Sequence, residues 1–169
     1  MVTRCGFYVK DNRIFQRNVY IDWNDGFDTE AKRKYIRRIQ EALGPDVGKI
    51  ADVTTASPDF DTRALSPFFI KDEESGLNLE SLYKKMEDPD DYLIHYIYIT
   101  HLDDKRKKTI MQYDCYSDVF HNPEKRALGT QAFSIAIYRL MVEQSKENVL
   151  KSLKAFTEWL QNQEIIVEE

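Results

Sequence analysis

The sequence predicts a helix-rich α+β fold in one domain, and three observations carry that expectation. The first is an N-terminal run of β-branched and aromatic residues around a turn signal, "FYVKDNRIFQRNVYIDW". The second is a set of later segments in which apolar residues recur at helical spacing. The third is size: 169 residues with a hydrophobic fraction of 42% can close a single core. No internal repeat, low-complexity tract or linker-like stretch divides residues 1–169.

Taken in order, Asp11-Asn12 marks a turn, so residues 7–23 read as a short hairpin that "NDGFD" then breaks. From Thr29 the pattern is helical. Asp28 or Thr29 can cap the free N–H groups, and Glu30 suits the positive end of the helix. Tyr35, Ile39, Ala42 and Leu43 share one face until Gly44-Pro45 stops the helix. The other face carries Lys32, Arg33, Lys34, Arg37 and Arg38, a basic stripe that reads as solvated surface or as a strip facing phosphate.

"KIADVTTASP" reads as a short strand, and "RALSPFFIKDEESG" as a loop anchored by Phe68, Phe69 and Ile70. "NLESLYKKMEDP" reads as a brief helix capped by Asn78, with Pro89 opening the next helix after Asp88. "YLIHYIYITHL" is apolar on every face, so periodicity leaves strand and helix open; we read it as a helix. Leu128, Ala132, Ile135, Ala136 and Leu140 mark a long buried helix. Val149, Leu153, Phe156 and Leu160 mark a C-terminal helix over residues 148–164, and "IIVEE" follows as a strand or a frayed end.

The net charge is -5, with basic residues interleaved among acids, so tight sequence-independent binding to a phosphate backbone is not expected. A local basic patch for one nucleotide or a short single strand remains compatible with it. Two cysteines without paired spacing, and no charged-then-apolar leader, point to a reduced, cytoplasmic protein. No apolar run approaches the roughly twenty residues of a membrane span, so no membrane partner is expected.

No phosphate-cradling glycine loop, nucleophile elbow or metal-binding helix motif occurs. His95, His101 and His121 lack metal-ligand spacing with the acids, and no metal or other cofactor is expected. What remains is a set of carboxylates beside apolar elements: Glu80 at the start of a short helix, and Asp114 and Asp118 ahead of the long buried one. Two such groups beside an apolar pocket can divide the work of glycoside hydrolysis, one activating water and one stabilising positive charge on the sugar. Each also has a structural reading: Asp118 as a turn cap before Asn122-Pro123, and Glu80 as a first-turn acid favoured by the helix dipole. Taken alone, the residues favour the structural roles.

The segments "VYIDWNDGFDTEAKRKYIRRIQEAL", "IADVTTASPDFDTRALSPFFI", "LESLY" and "QYDCYSDVFHNPEKRALGTQAFSIAIY" add a further reading. In this order, over about residues 19–140, they resemble the NADAR superfamily, in the branch found as antitoxin beside DarT-type DNA ADP-ribosyltransferases. The resemblance implies a NADAR-like domain that hydrolyses the N-glycosidic bond of ADP-ribosylated guanine in nucleic acid without a metal, in an antitoxin or phage-defence setting. It implies Glu80 and Asp118 as the catalytic acids, and Trp23, Ser66, Phe68 and Gln131 as ligand-binding residues, with Lys84 read beside them as a ligand-binding cation near phosphate. Gly26 and Phe27 beside Trp23, and Ser134 beyond Gln131, match further positions.

The chain departs from the family at Phe69, where an Asn is expected, at Lys84 and Glu87, and in a shortened segment after Glu80. An aromatic ring in place of a buried amide leaves ligand groups unpaired, at about 1–3 kcal/mol each. The alternative expectation is therefore a catalytically silent relative that binds an ADP-ribose-type nucleotide or docks a protein partner, a toxin or defence effector.

Overall fold

The computed structural model describes residues 1–126 and 129–168, and the fold grows outward from its N-terminal hairpin. β1 (Val2–Lys10) and β2 (Arg13–Ile21) pair antiparallel along their whole length. Asp11 and Asn12 join them with φ of 52° and 63°, a two-residue loop whose twist matches the strands and whose side chains tolerate the left-handed region. The hairpin starts earlier than the expected Phe7, because Arg4 and Gly6 interrupt the sequence pattern while lying within the ladder. Gly6 is needed there: a Cβ would stand 2.8 Å from both Cys115 Sγ and a Leu43 methyl.

Three short strands complete a mixed sheet: β3 (Ile50–Asp52), β4 (Cys115–Ser117) and β5 (Ile165–Glu168), in the order β3-β4-β1-β2-β5. β4 runs antiparallel to β1, whereas β3 runs parallel to β4 and β5 parallel to β2. The C-terminal "IIVEE" is thus strand rather than frayed chain. Gly48, at φ 83, lets the backbone turn into β3: a Cβ there would lie 2.5 Å from Asp114, whose carboxylate accepts from Lys49 N at 2.8 Å.

Eight helices surround the sheet among the described residues: α1 (Thr29–Leu43), α2 (Phe60–Arg63), α3 (Leu79–Lys85), α4 (Asp91–Thr100), α5 (Asp104–Met111), α6 (Pro123–Arg126), α7 (Gln131–Glu143) and α8 (Leu153–Gln161). Asp28 caps α1 by accepting from Ala31 N at 2.8 Å, and Gly44, at φ 86, ends it. The helix lays Tyr35, Ile36, Ile39 and Leu43 against Val19, Ile21 and Cys115 on one face of the sheet. The other face, with Cys5, Phe7 and Ile14, packs against α4, α7 and α8.

α7 is the rod at the centre of that second core, with Phe133, Ile135, Ile137, Leu140 and Met141 all buried. Each such side chain contributes roughly 1.5–3 kcal/mol of burial, which makes α7 a stiff platform for whatever sits at its N-terminus. Leu128, expected on this helix, lies outside the described residues.

"YLIHYIYITHL" forms α4, as read. Its cap is Asp90, which accepts from Leu93 N at 2.8 Å; Asp88 adopts φ 53 instead, so Pro89 precedes the helix rather than opening it. The expected helix over 148–164 divides into a 3₁₀ turn at Glu147–Lys151 and α8, because the extended Ser152 caps a new start through Ala155 N. Ile70 anchors its loop, but Phe68 and Phe69 are turned outward by the 3₁₀ turn Pro67–Phe69 and stay half exposed. Among the described residues no helix is long and apolar enough to cross a membrane.

Candidate functional site

Because β3 and β4 are parallel, the chain leaves both at the same edge of the sheet, and a cavity of about 160 Å³ lies there. Its lining brings together Glu80, Asp118, Ser66, Phe68 and Gln131, with Thr54, Thr55, Pro67 and Phe120 completing the wall. Trp23 and Lys84 are not among the lining residues. The deeper wall is polar and buried at Asp118, Thr54 and Ser66, whereas Phe68 and Phe120 are 50% and 47% exposed and form an aromatic mouth.

Asp118 is held by both oxygens. One accepts from Phe120 N at 2.9 Å, closing a tight turn, and the other accepts from the Thr130 hydroxyl at 2.6 Å. Thr130 is also the cap of α7, accepting from Ala132 N at 3.2 Å. A carboxylate anchored at a helix N-terminus sits where the helix dipole favours negative charge. The rigid core helix thus fixes the acid.

Behind it lies Asp52, fully inside the protein, which accepts from Thr54 through both backbone N–H and hydroxyl, and from Val119 N at 3.1 Å. Burial pushes the Asp52 carboxyl up to about 7; the Thr54 hydroxyl opposes the rise and the Asp118 charge adds to it. Arg4 clamps the same loop from the other side, donating from Nε to Val119 O at 2.6 Å. Trp23 stacks on Tyr35 at 3.9 Å between ring centroids and lies under the Arg4 guanidinium at 4.5 Å, so its link to the Asp118 loop runs through Arg4.

Glu80 enters from the opposite kind of support. It is the second residue of α3, which Asn78 caps by accepting from Ser81 N at 2.8 Å. The carboxylate is half-buried and makes no hydrogen bond or ion pair among the described residues. Ser66 caps the 3₁₀ turn by accepting from Phe68 N at 3.3 Å, which leaves its hydroxyl proton available to a ligand. Gln131 is pinned by donating to Val53 O at 3.2 Å.

Lys84 lies exposed at the end of α3, and of the basic stripe on α1 it is Lys32 that reaches the mouth, its ammonium 5.5 Å from the Phe120 ring centroid. Asp114 is separated from Asp118 by the whole of β4 and serves the Lys49 backbone, so only one of that sequence pair reaches the cavity. Ser134 points away, hydrogen-bonded to the buried His95 ring, which packs edge-on to Phe133. Phe69 faces a neighbouring pocket.

Asp52, Thr54, Phe120, Thr130 and Arg4 escaped the sequence reading. Asp52 carried a readable signal, an acid followed two residues later by Thr at the end of a predicted strand, the pattern of a side chain that closes its own turn. Arg4 carried none, since its role depends on a loop over a hundred residues away.

An acid-lined cavity at the edge of a mixed sheet, braced by one core helix, defines a small α+β protein with two carboxylates converging on one hollow. The family model for the DarT1-associated NADAR antitoxin matches residues 84–169, slightly more than half of the chain, and the protein belongs to that family. The matched segment includes Asp118, Thr130 and Gln131, while Glu80, Ser66 and Phe68 precede it. No curated protein matches the chain.

Proposed function

We propose that this antitoxin-family protein is an ADP-ribosyl hydrolase that removes ADP-ribose from guanine bases in nucleic acid, an N-glycosidase that reverses a toxin's modification. The observation that carries the reading is the convergence of Glu80 and Asp118, from segments far apart in sequence, on one cavity with an aromatic mouth. Their surroundings suit different roles. Asp118 already accepts two hydrogen bonds, which fix its direction, so its carboxylate stabilises the positive charge that develops on the ribose.

Glu80 has both oxygens at liberty and takes the proton of the attacking water. Water oxygen bonds to the anomeric carbon, the carbon–nitrogen bond breaks, and its electron pair leaves on the guanine nitrogen, which is protonated from solvent. The cavity is below the roughly 300–1,000 Å³ of pockets that enclose a whole ligand. It therefore suits the ribose alone, with the diphosphate lying over the rim near Lys32. The reaction belongs in the cytoplasm, where a DarT1-type toxin and its nucleic acid target would be met.

One observation favours a second reading. Phe69, standing where the resemblance expects an Asn, faces away from the cavity and adds no polar group to it. A binder that has lost turnover would share every other feature. Incubation with guanine-ADP-ribosylated single-stranded DNA decides between them: the hydrolase yields free ADP-ribose and restored guanine over many turnovers, and the silent binder shows stabilisation by ADP-ribose with no product.

A further inference from the structure

A second pocket adjoins the candidate site and is about twice as roomy, at about 330 Å³. It lies between α2, the turn Pro67–Phe69 and α5, and its most prominent features are Phe60, 70% exposed, and Phe69, 51% exposed. Successive residues of one turn serve the two hollows, Phe68 the candidate site and Phe69 its neighbour. With successive Cα atoms only about 3.8 Å apart, the two hollows lie beside one turn, each lined by residues of its own.

The second pocket is preformed. Arg106 ties its rim together, donating from Nε to Ala64 O at 2.7 Å, from Nη2 to Phe69 O at 2.8 Å, and from Nη1 to Asp103 at 2.7 Å. Arg63 holds the other side through Ser57 O at 2.9 Å. Of the charged residues on this wall, Lys105 pairs with Asp61 at 3.8 Å and Arg106 with Asp103 at 2.7 Å, which leaves the single charge of Arg63 in excess.

The geometry points to a nucleobase subsite here, for the nucleotide that flanks the modified guanine in a single-stranded substrate; this deepens the hydrolase reading and rests on it. A guanine whose glycosidic bond must enter so small a cavity has to leave its stack, which bares the face of the adjoining base. A protein of net charge -5 gains little from neutralising phosphates, so a strand is held by aromatic stacking, for which two exposed rings on a wall with one excess cation are suited. The adenosine end of ADP-ribose is assigned elsewhere, since the diphosphate belongs near Lys32 beside Phe120, whereas this pocket adjoins Phe68.

The test uses the full chain, a fluorescein-labelled unmodified single-stranded DNA of about eight nucleotides, within the span one such groove covers, and ADP-ribose as a second, separate probe. Anisotropy titrations of Phe60→Ala and of the double variant with Phe69→Ala should show binding of the strand weakened about tenfold. Calorimetry should show ADP-ribose affinity unchanged. Equal strand affinity in parent and variants, or no strand binding by the parent, overturns the proposal. So does a parallel loss of ADP-ribose affinity, which assigns the pocket to the adenine end. So does lost affinity for a DarT1-type toxin with strand binding intact, which makes the surface a protein dock. Because binding of the unmodified strand needs no turnover, an inactive parent that still binds through Phe60 refutes the hydrolase reading and leaves the subsite standing.

Discussion

Asp118 and Glu80 face the same cavity from walls of unlike construction. Asp118 is buried, anchored through Thr130 to the N-terminus of α7, and backed by Asp52 and Arg4. Glu80 projects from a seven-residue helix, half-buried and without a protein partner among the described residues. The first arrangement suits a charge that must stay put, the second a group that must exchange a proton with water. The difference separates stability from chemistry: disturbing the Asp118 wall should affect both, and disturbing Glu80 only the chemistry.

The largest effect is expected at Asp118 itself. Asp118→Asn should lower ADP-ribose release about 10³-fold and also lower the melting temperature, because one of its two donors loses its acceptor. Glu80→Gln should cost about 10²-fold in release, with stability changed by no more than about 0.5 kcal/mol. Equal stability losses in the two variants would erase the distinction.

A smaller effect sharpens the contrast. Thr130→Val removes both the donor to Asp118 and the α7 cap, and should destabilise by about 1–3 kcal/mol in chemical denaturation while Thr130→Ser restores most of it. If the serine variant is as unstable as the valine, the hydroxyl is not what fixes the acid.

The smallest effect is a pH slope. The folded protein holds the Asp52 proton more tightly than the unfolded chain does, so this group favours folding fully below its unfolded pKa, about 3.9, and the benefit fades as pH rises through about 7. Thermal melts of the parent should therefore lose stability between these limits, and Asp52→Asn should flatten that part of the curve. An unchanged slope would mean that folding does not shift the proton affinity of Asp52.

The sequence disclosed these regions unequally for physical reasons. α1 and α3 were readable because caps and periodicity are local, as Asp28 and Asn78 demonstrate, whereas α4, apolar on every face, offered no periodicity to separate it from a strand. β4 was not, since "CYS" is three residues long and becomes strand only by pairing with Phe7 and Ala51. α5 was missed because its sequence, "DKRKKTIM", presents few apolar residues and buries little beyond Thr109 and Ile110. At the site, Glu80 and Asp118 came from an ordered likeness and not from any motif in the residues. Phe68 and Phe69 misled in the opposite direction, as apolar residues read for a core that the Pro67 turn directs outward.

The parallel pairing of β3 with β4 has a consequence for descent. It places Thr54, Thr55, Asp118 and Phe120 of the cavity lining on the two segments that leave adjacent strands, residues 53–59 and 118–122, while the ladder itself stops short of them. Insertions or exchanges in those segments alter the opening without shifting the sheet's register. Relatives can therefore diverge in what they accept while inheriting the same scaffold, and differences in specificity within the family should accumulate there first.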